Sequence, residues 1–313
     1  MYALEMHPRT FAMINYNKLI RCVLIAYISF FCVSVCFSQI LTQKNKNMSD
    51  KIKRIVSLAP SLTESIYLLE MGPYLVGNTI YCNKPDDAKT KKRVASVVDV
   101  NIEAVVRLNP DMIVATHLTD HRAIKKFKVL GIDICSFAQP YNFNQMSKQL
   151  IDLGQKLGQK ELAEKLVARA QNRINLLTSQ LNPGRTQKVF VQLGARPLYA
   201  ATNESFVNDL VTLAKGINIA ANQKNGIYSK EQVLAENPDI ILITSMGMTG
   251  DDERKRWLRF DSLKAAKSRR VHIIDSELFC SPTVVSFADA LQQLIHLLHP
   301  QLDRNNIHES KSH

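Results

Sequence analysis

Residues 103–113, Glu-Ala-Val-Val-Arg-Leu-Asn-Pro-Asp-Met-Ile, return 128 residues later as 231–241, Glu-Gln-Val-Leu-Ala-Glu-Asn-Pro-Asp-Ile-Ile. Glu, Val, Asn-Pro-Asp and Ile keep the same spacing in both, so the fold has to hold one short unit twice. Each copy reads as a helix that Asn-Pro stops, because proline lacks an N–H and clashes with the preceding turn. Each then enters an unbroken apolar stretch, 112–115 and 240–243. Such a stretch suits a parallel strand buried on both faces.

The surroundings repeat as well. A strand at 54–59 and a helix from 61 to 71 precede the first unit, with Ser61-Leu-Thr-Glu64 read as a capping box. A strand at 189–193 and a helix at 203–215 precede the second. A helix and a strand follow each unit, at 121–130 and 132–137, then at 255–266 and 271–274. Strands alternating with helices predict an α/β fold with two Rossmann-like lobes, each built on a parallel sheet. Residues 142–186 lie between the lobes and read as linking helices, broken once at Gly154 and Gly158. From 160 to 181 the apolar positions follow helical spacing, giving one long connector of about 33 Å. Asn182-Pro183-Gly184 would end it. The expected organisation is an N-terminal lobe at 52–141, linking helices at 142–186, a C-terminal lobe at 187–300 and a tail at 301–313.

The N-terminus has a different character. Residues 22–37 carry no charge, Lys18 and Arg21 precede them, and Ser34 and Ser38 supply small residues at the end. That pattern describes a signal peptide over 1–38, with a polar tether at 39–51. Translation from Met13 would give the basic flank an ordinary length. Cleavage near Ser38, retention as a membrane anchor and lipid attachment at Cys36 all stay open, and all three place the rest of the chain outside the cytoplasm.

The formal net charge is +12, and residues 1–38 contribute +2 of it through Arg9, Lys18 and Arg21 against Glu5. The remaining charges are dispersed, and the run Lys89, Lys91, Lys92, Arg93 has no interleaved aromatics. This reads as a basic soluble surface and not as a nucleic-acid groove. Outside the apolar segment the cysteines are Cys82, Cys135 and Cys280, far apart and without a Cys-x-x-Cys pair. Neither a zinc knuckle nor a redox dithiol is spelled out, and free thiols are expected over a disulfide. Dinucleotide, phosphate-loop, metalloprotease and serine-hydrolase motifs are missing, so the chain is not expected to be an enzyme and no cofactor is called for. His117 and His121 are four apart, but one ends a strand and the other starts a helix. A bare-metal site using His117 with Asp275 has only two named ligands.

Open α/β sheets bind ligands beyond the carboxyl ends of their strands. Those positions supply Ser61, Tyr81, Thr116, His117, Arg196, Tyr199, Tyr228 and Phe279 as candidate ligand contacts. Aromatics at such edges suit a large flat ligand. Arg196 could pair with a carboxylate or phosphate.

Arg54-Ile-Val-Ser-Leu-Ala-Pro-Ser-Leu-Thr-Glu64, Leu75-Val-Gly-Asn, Tyr81-Cys-Asn-Lys-Pro85, the two Asn-Pro-Asp units, and Phe190-Val-Gln-Leu-Gly194 leading to Asn203-Glu-Ser resemble, in order and spacing, the periplasmic cobalamin, haem and iron-siderophore binding proteins of ABC importers. The likeness spans about residues 52–298 and leans to the cobalamin-binding branch. It implies two rigid lobes joined by one long helix, and a metal chelate, cobalamin foremost, held between them by a monomeric receptor. It implies delivery to an ABC permease, and through it to the ATPase subunit, with Glu103 and Glu231 as the docking pair, one per lobe. The chain departs from the branch in its tryptophans. It has one, Trp257, placed in a helix of the second lobe, while Val98, Thr116 and Asn225 stand where cleft tryptophans are expected. A bare transition-metal receptor and a membrane-tethered α/β enzyme remain as competing readings. The duplicated Glu-x-Val unit argues against the enzyme, since catalytic residues are not normally duplicated across a cleft.

Overall fold

The computed structural model describes residues 52–96, 99–181, 186–244 and 250–301. The expected signal peptide, tether and C-terminal tail, with Val98 and the Asn182-Pro183-Gly184 stop, lie outside those residues, apart from position 301.

Two sheets form. In the first, β1 (Ile55–Ser57), β2 (Leu75–Thr79), β3 (Lys92–Ala95), β4 (Met112–Thr116) and β5 (Asp133–Phe137) run parallel in the order β3-β2-β1-β4-β5. In the second, β6 (Gln187–Ala195) pairs in parallel with β9 (Ile240–Thr244) and β8 (Gly216–Asn218), and antiparallel with β7 (Leu198–Ala200). β10 (Val271–Ile274) extends that sheet beyond β9. The helices of the first lobe are α1 (Pro60–Leu68), α2 (Ile102–Arg107) and α3 (His121–Val129). The connecting pair, α4 (Phe143–Lys156) and α5 (Lys160–Ser179), turns at Leu157-Gly158-Gln159. The second lobe carries α6 (Phe206–Leu213), α7 (Lys230–Glu236), α8 (Gly250–Leu258), α9 (Lys264–Lys267), α10 (Ser276–Cys280) and α11 (Val284–Leu298).

Two sequence expectations need correction. Ser61 does not cap α1. Ala59 is the capping residue, without a side-chain hydrogen bond, and Pro60 starts the helix. The Thr63 hydroxyl turns away to donate to Ser57 Oγ at 2.8 Å. Pro60 explains this, since its fixed φ and missing N–H suit the first helical position. The helix expected at 255–266 is instead α8 and α9. Phe260 and Leu263 close the break between them with backbone bonds to Trp257 and Phe260, and Leu263 is fully buried.

The repeat has a structural reason. Asn109 and Asn237 both adopt left-handed φ, +43° and +47°, and end α2 and α7. The prolines prevent continuation. The aspartates then stitch each unit to the strand beside it. Asp111 Oδ2 accepts the N–H groups of Lys53 and Arg54 at 2.8 and 2.9 Å. Asp239 Oδ2 accepts that of Lys188 at 2.9 Å. The aspartate N–H groups return bonds to Arg54 and Lys188. One tripeptide thus stops a helix and sets the register of β4 on β1 and of β9 on β6.

The strands divide their side chains between cores in the period of two that a pleat imposes. Ile55, Met112, Val114, Val189, Val191, Ile240 and Leu242 belong to a central core with residues of α1, α4, α5, α6 and α11. Val56, Ile113 and Ala115 face an outer core with α2 and α3. Phe190, Ile241 and Ile243 face another with Trp257. The central core is continuous across both lobes. Phe143 of α4 meets Phe287 of α11 at 5.3 Å between ring centroids. Asp209 of α6 accepts the Phe143 N–H at 2.8 Å, and burial pushes its carboxyl above the ordinary range. At the surface, Lys84 of the first lobe pairs with Glu277 of the second at 2.8 Å. Glu64 lies in the same electrostatic cluster. Burial raises its pKa to about 7, with Lys84 opposing and Glu277 adding to the rise.

Asp111→Ala leaves two backbone donors without their acceptor and should lower the unfolding free energy by about 1–3 kcal/mol in urea titration. Because the folded-state pKa of Glu64 stands above its unfolded value, the native state holds a proton that the unfolded chain releases. Stability from this group is complete below about pH 4.5 and is lost as pH rises to about 7. Between pH 5 and 8 the wild type should therefore lose about 1–2 kcal/mol more than Glu64→Gln, allowing for solvent screening of a partly exposed group. Parallel urea titrations across that range would show it.

Candidate ligand-binding site

A cavity of about 500 Å³ opens at the carboxyl ends of the first sheet. Every strand there contributes. Leu58, Ala59, Pro60 and Ser61 follow β1, Thr79 ends β2 and Tyr81 follows it, Ser96 follows β3, Thr116 ends β4 and Leu118 and Thr119 follow it, and Gln139 and Pro140 follow β5. Met146 and Gln149, three apart on α4, form one side. The second lobe reaches in with Phe206, at the start of α6, and with Cys280, Ser281 and Pro282. The position follows from topology, because parallel strands release their loops and start their helices at one end.

The chemistry of the wall is uniform. Hydroxyls, two carboxamides and apolar groups make it up, and no Asp, Glu, Lys, Arg or His is among the described lining residues. Burial pushes the Cys280 thiol up to about 11, so it stays protonated at neutral pH. Cys82 and Cys135 are also free thiols, and Cys82 is fully buried. No side chain caps α1, Pro60 has no N–H, and the Thr63 N–H is bonded to the Ala59 carbonyl, so the first-turn donors without an intrahelical acceptor are those of Ser61 and Leu62. Among the described residues no group of three or more His, Cys, Asp or Glu side chains could hold a metal ion.

The candidate residues fall into three groups. Ser61, Tyr81 and Thr116 share the cavity wall, and Tyr81 is 50% exposed. His117 and Arg196 are exposed just past the carboxyl ends of β4 and β6, Tyr199 is exposed in β7 opposite Gly194, and all three lie off that wall. The Tyr199 ring lies on Gly226. A Cβ there would come within 2.5 Å of the ring, and the φ of +67° also favours glycine. Tyr228 and Phe279, expected at the cleft, are instead core residues. Tyr228 is 9% exposed, 5.5 Å from Phe190 between ring centroids. Phe279 is 1% exposed in the central core. Each sits beside a cavity or rim segment, but the pleat or helix turn sends its ring inward, where burial of an aromatic is most favourable.

Gln139, Gln149 and Leu118 were not singled out from the sequence. The rule that selected Thr116 also covers Gln139, since both follow strands of one sheet. Gln149 announces itself only as the polar neighbour of Met146 on an otherwise apolar helix face. Trp257 is a core residue, as its helical context suggested. It is 1% exposed, and its indole N–H donates to Gln192 Oε1 at 2.6 Å.

Glu103 and Glu231 occupy the same place in their lobes, second in helices capped by Asn101 and Ser229. Both are exposed. Glu103 pairs loosely with Arg107 at 3.5 Å. The Glu231 carboxyl is held below its usual range by its own backbone N–H and by the Ser229 hydroxyl.

Residues 55–278 match the family model described as "Periplasmic binding protein". The chain is 28% identical over 209 residues to the vitamin B12-binding protein of Yersinia pestis (strain Pestoides F), covering 66% of this chain and 74% of that one. Its structure resembles the periplasmic vitamin B12 binding protein of Vibrio cholerae, with TM-score 0.70, 25% identity, and coverage of 79% of this chain and 97% of that one. It also shares its fold with a periplasmic haem-binding protein from Roseiflexus sp. RS-1, with TM-score 0.71, 22% identity, and coverage of 80% and 98%. The match over most of both lobes means that this chain belongs to the periplasmic binding protein family, as a substrate-binding protein.

Proposed function

We propose that this protein captures a cobalamin-type chelate outside the cytoplasmic membrane and delivers it to an ABC permease. The uncharged wall of the cavity carries the choice. Haem brings carboxylates and iron-siderophores are commonly anionic, so each calls for a cation or an axial ligand such as histidine. The described wall offers no cation and no histidine, and the Tyr81 phenol is the exposed donor it could give a haem iron. A corrinoid instead presents amide side chains around a flat apolar ring. Hydroxyls such as Ser61 and Thr116, the carboxamides of Gln139 and Gln149, and the uncapped amides of α1 are suited to such a rim. Tyr81 supplies the aromatic face. Cobalamin is larger than the cavity, so part of it would project toward the exposed Tyr199, Arg196 and His117 off that wall. The likeness to two vitamin B12-binding proteins supports the same choice.

Delivery follows from the duplicated acids. A permease with two-fold symmetry presents equivalent cations to equivalent sites, and Glu103 and Glu231 are equivalent by sequence and helix position. The apolar segment at residues 22–37 fits export. It is read as a signal cleaved near Ser38, with retention as an anchor or lipid attachment at Cys36 as the other routes to the same compartment.

Calorimetry and visible absorption of the purified chain should show saturable uptake of cyanocobalamin and much weaker uptake of hemin. Tight hemin binding without cobalamin binding would move the assignment to haem. Tyr81→Ala should weaken cyanocobalamin binding about tenfold, the loss expected of an aromatic anchor. Glu103→Ala combined with Glu231→Ala should abolish uptake by cells while leaving affinity in solution unchanged. A fall in affinity would place these acids in the ligand site instead.

A further inference from the structure

Tyr81 stands half exposed on a short loop between β2 and the 3₁₀ turn at Asp86–Thr90. Its backbone N–H donates to Thr79 Oγ1 at 3.2 Å. A side chain this open is positioned by its loop, and the loop is built around one guanidinium. Arg93, on the edge strand β3, sends Nη1 into the concave side of that loop. There it donates to Asn78 Oδ1 at 2.8 Å, to the Thr79 carbonyl at 2.6 Å and to the Cys82 carbonyl at 3.0 Å. The last two acceptors flank Tyr81 in sequence. The Thr63 hydroxyl and the Thr79 hydroxyl also meet the buried Cys82 sulfur, at 3.1 and 3.2 Å. Asn78 passes the restraint on by donating to the Ala88 carbonyl at 2.8 Å.

We propose that Arg93 is a positioning residue for the ligand site, holding the Thr79–Cys82 turn so that Tyr81 faces the cavity before the ligand arrives. The proposal rests on Tyr81 as a ligand contact. Its physical content is preorganisation. A guanidinium that satisfies three acceptors on one turn removes most of the loop's alternatives, and ordering completed before binding is not charged against affinity. A neutral residue would leave the Cys82 carbonyl and the Asn78 carboxamide oxygen to find water, with the turn held only by the Cys82 N–H on the Thr79 carbonyl and the Ile80 N–H on Ala95. The charge stays off the wall, since Arg93 is not among the lining residues. Its role is therefore separable from any direct contact with the ligand.

The test uses the full chain with cyanocobalamin as the probe, together with fluorotyrosine labelling and fluorine NMR in the absence of ligand. Loss of a resonance in Tyr81→Phe assigns the Tyr81 signal. Arg93→Met should shift and broaden that signal and leave the other tyrosines in place. It should also weaken cyanocobalamin binding about tenfold. In a Tyr81→Ala background the same substitution should cost nothing further, because its effect runs through the ring. Arg93→Lys should give a smaller change in both readouts, and it carries the test if Arg93→Met does not fold. An unmoved Tyr81 signal, or an equal loss of affinity with and without the Tyr81 ring, would overturn the positioning role while leaving the ligand assignment intact. A Tyr81→Ala chain that binds cyanocobalamin as before would overturn the ligand contact, and the role of Arg93 with it.

Discussion

The fold depends on one apolar body shared by two sheets. Alternate residues of β1 and β4 in the first lobe, and of β6 and β9 in the second, point into the same core, filled by α4, α5 and α11. Each lobe keeps a smaller outer core for its own helices. Separating the lobes would expose the inward rows of both sheets to water, at roughly 1.5–3 kcal/mol for each large side chain uncovered. Surface ties such as Lys84–Glu277 add little beside this, because half-exposed ion pairs are weak. The cleft therefore has walls whose separation is set by packing behind them.

That constraint explains the site. With the sheets fixed, the carboxyl ends of five parallel strands converge on one cavity, and the second lobe closes it with the start of α6 and the segment after α10. Selectivity is left to the lining. Charges are near, at Arg93, Lys84, Glu64 and Glu277, but they serve the frame. Arg93 is consumed by a turn and Lys84 by Glu277, while Glu64 is driven by burial toward its neutral form. What faces the cavity is neutral and rich in hydroxyls.

Much of this was readable from the chain because it was written twice. Asn-Pro-Asp marks a place where a helix must stop, a strand must start and a carboxylate must meet the neighbouring strand, and those demands leave little freedom in residue type. Strand interiors were legible for a related reason. Burial on both faces requires unbroken apolar runs, as at β4 and β9. Side-chain direction was less legible. Whether Tyr228 or Phe279 faces the cleft or the core depends on one step of pleat or a fraction of a helical turn, and an aromatic is compatible with both. The start of α1 misled because Ser61-x-x-Glu64 imitates a capping box, whereas Pro60 one position earlier claims the helix start. In the sequence Arg93 is one more charge of a basic surface, since its three acceptors come together only once β2 and β3 lie side by side.

The continuous interior carries a further implication. If the lobes move as one body on that shared core, the receptor would keep almost the same outline whether empty or loaded. A membrane partner recognising Glu103 and Glu231 would meet nearly identical silhouettes in the two cases, so unfilled molecules would compete with filled ones for the same landing place. Discrimination would then fall to whatever part of the cargo stands proud of the rim, and abundance of the empty form would itself act as a brake on uptake.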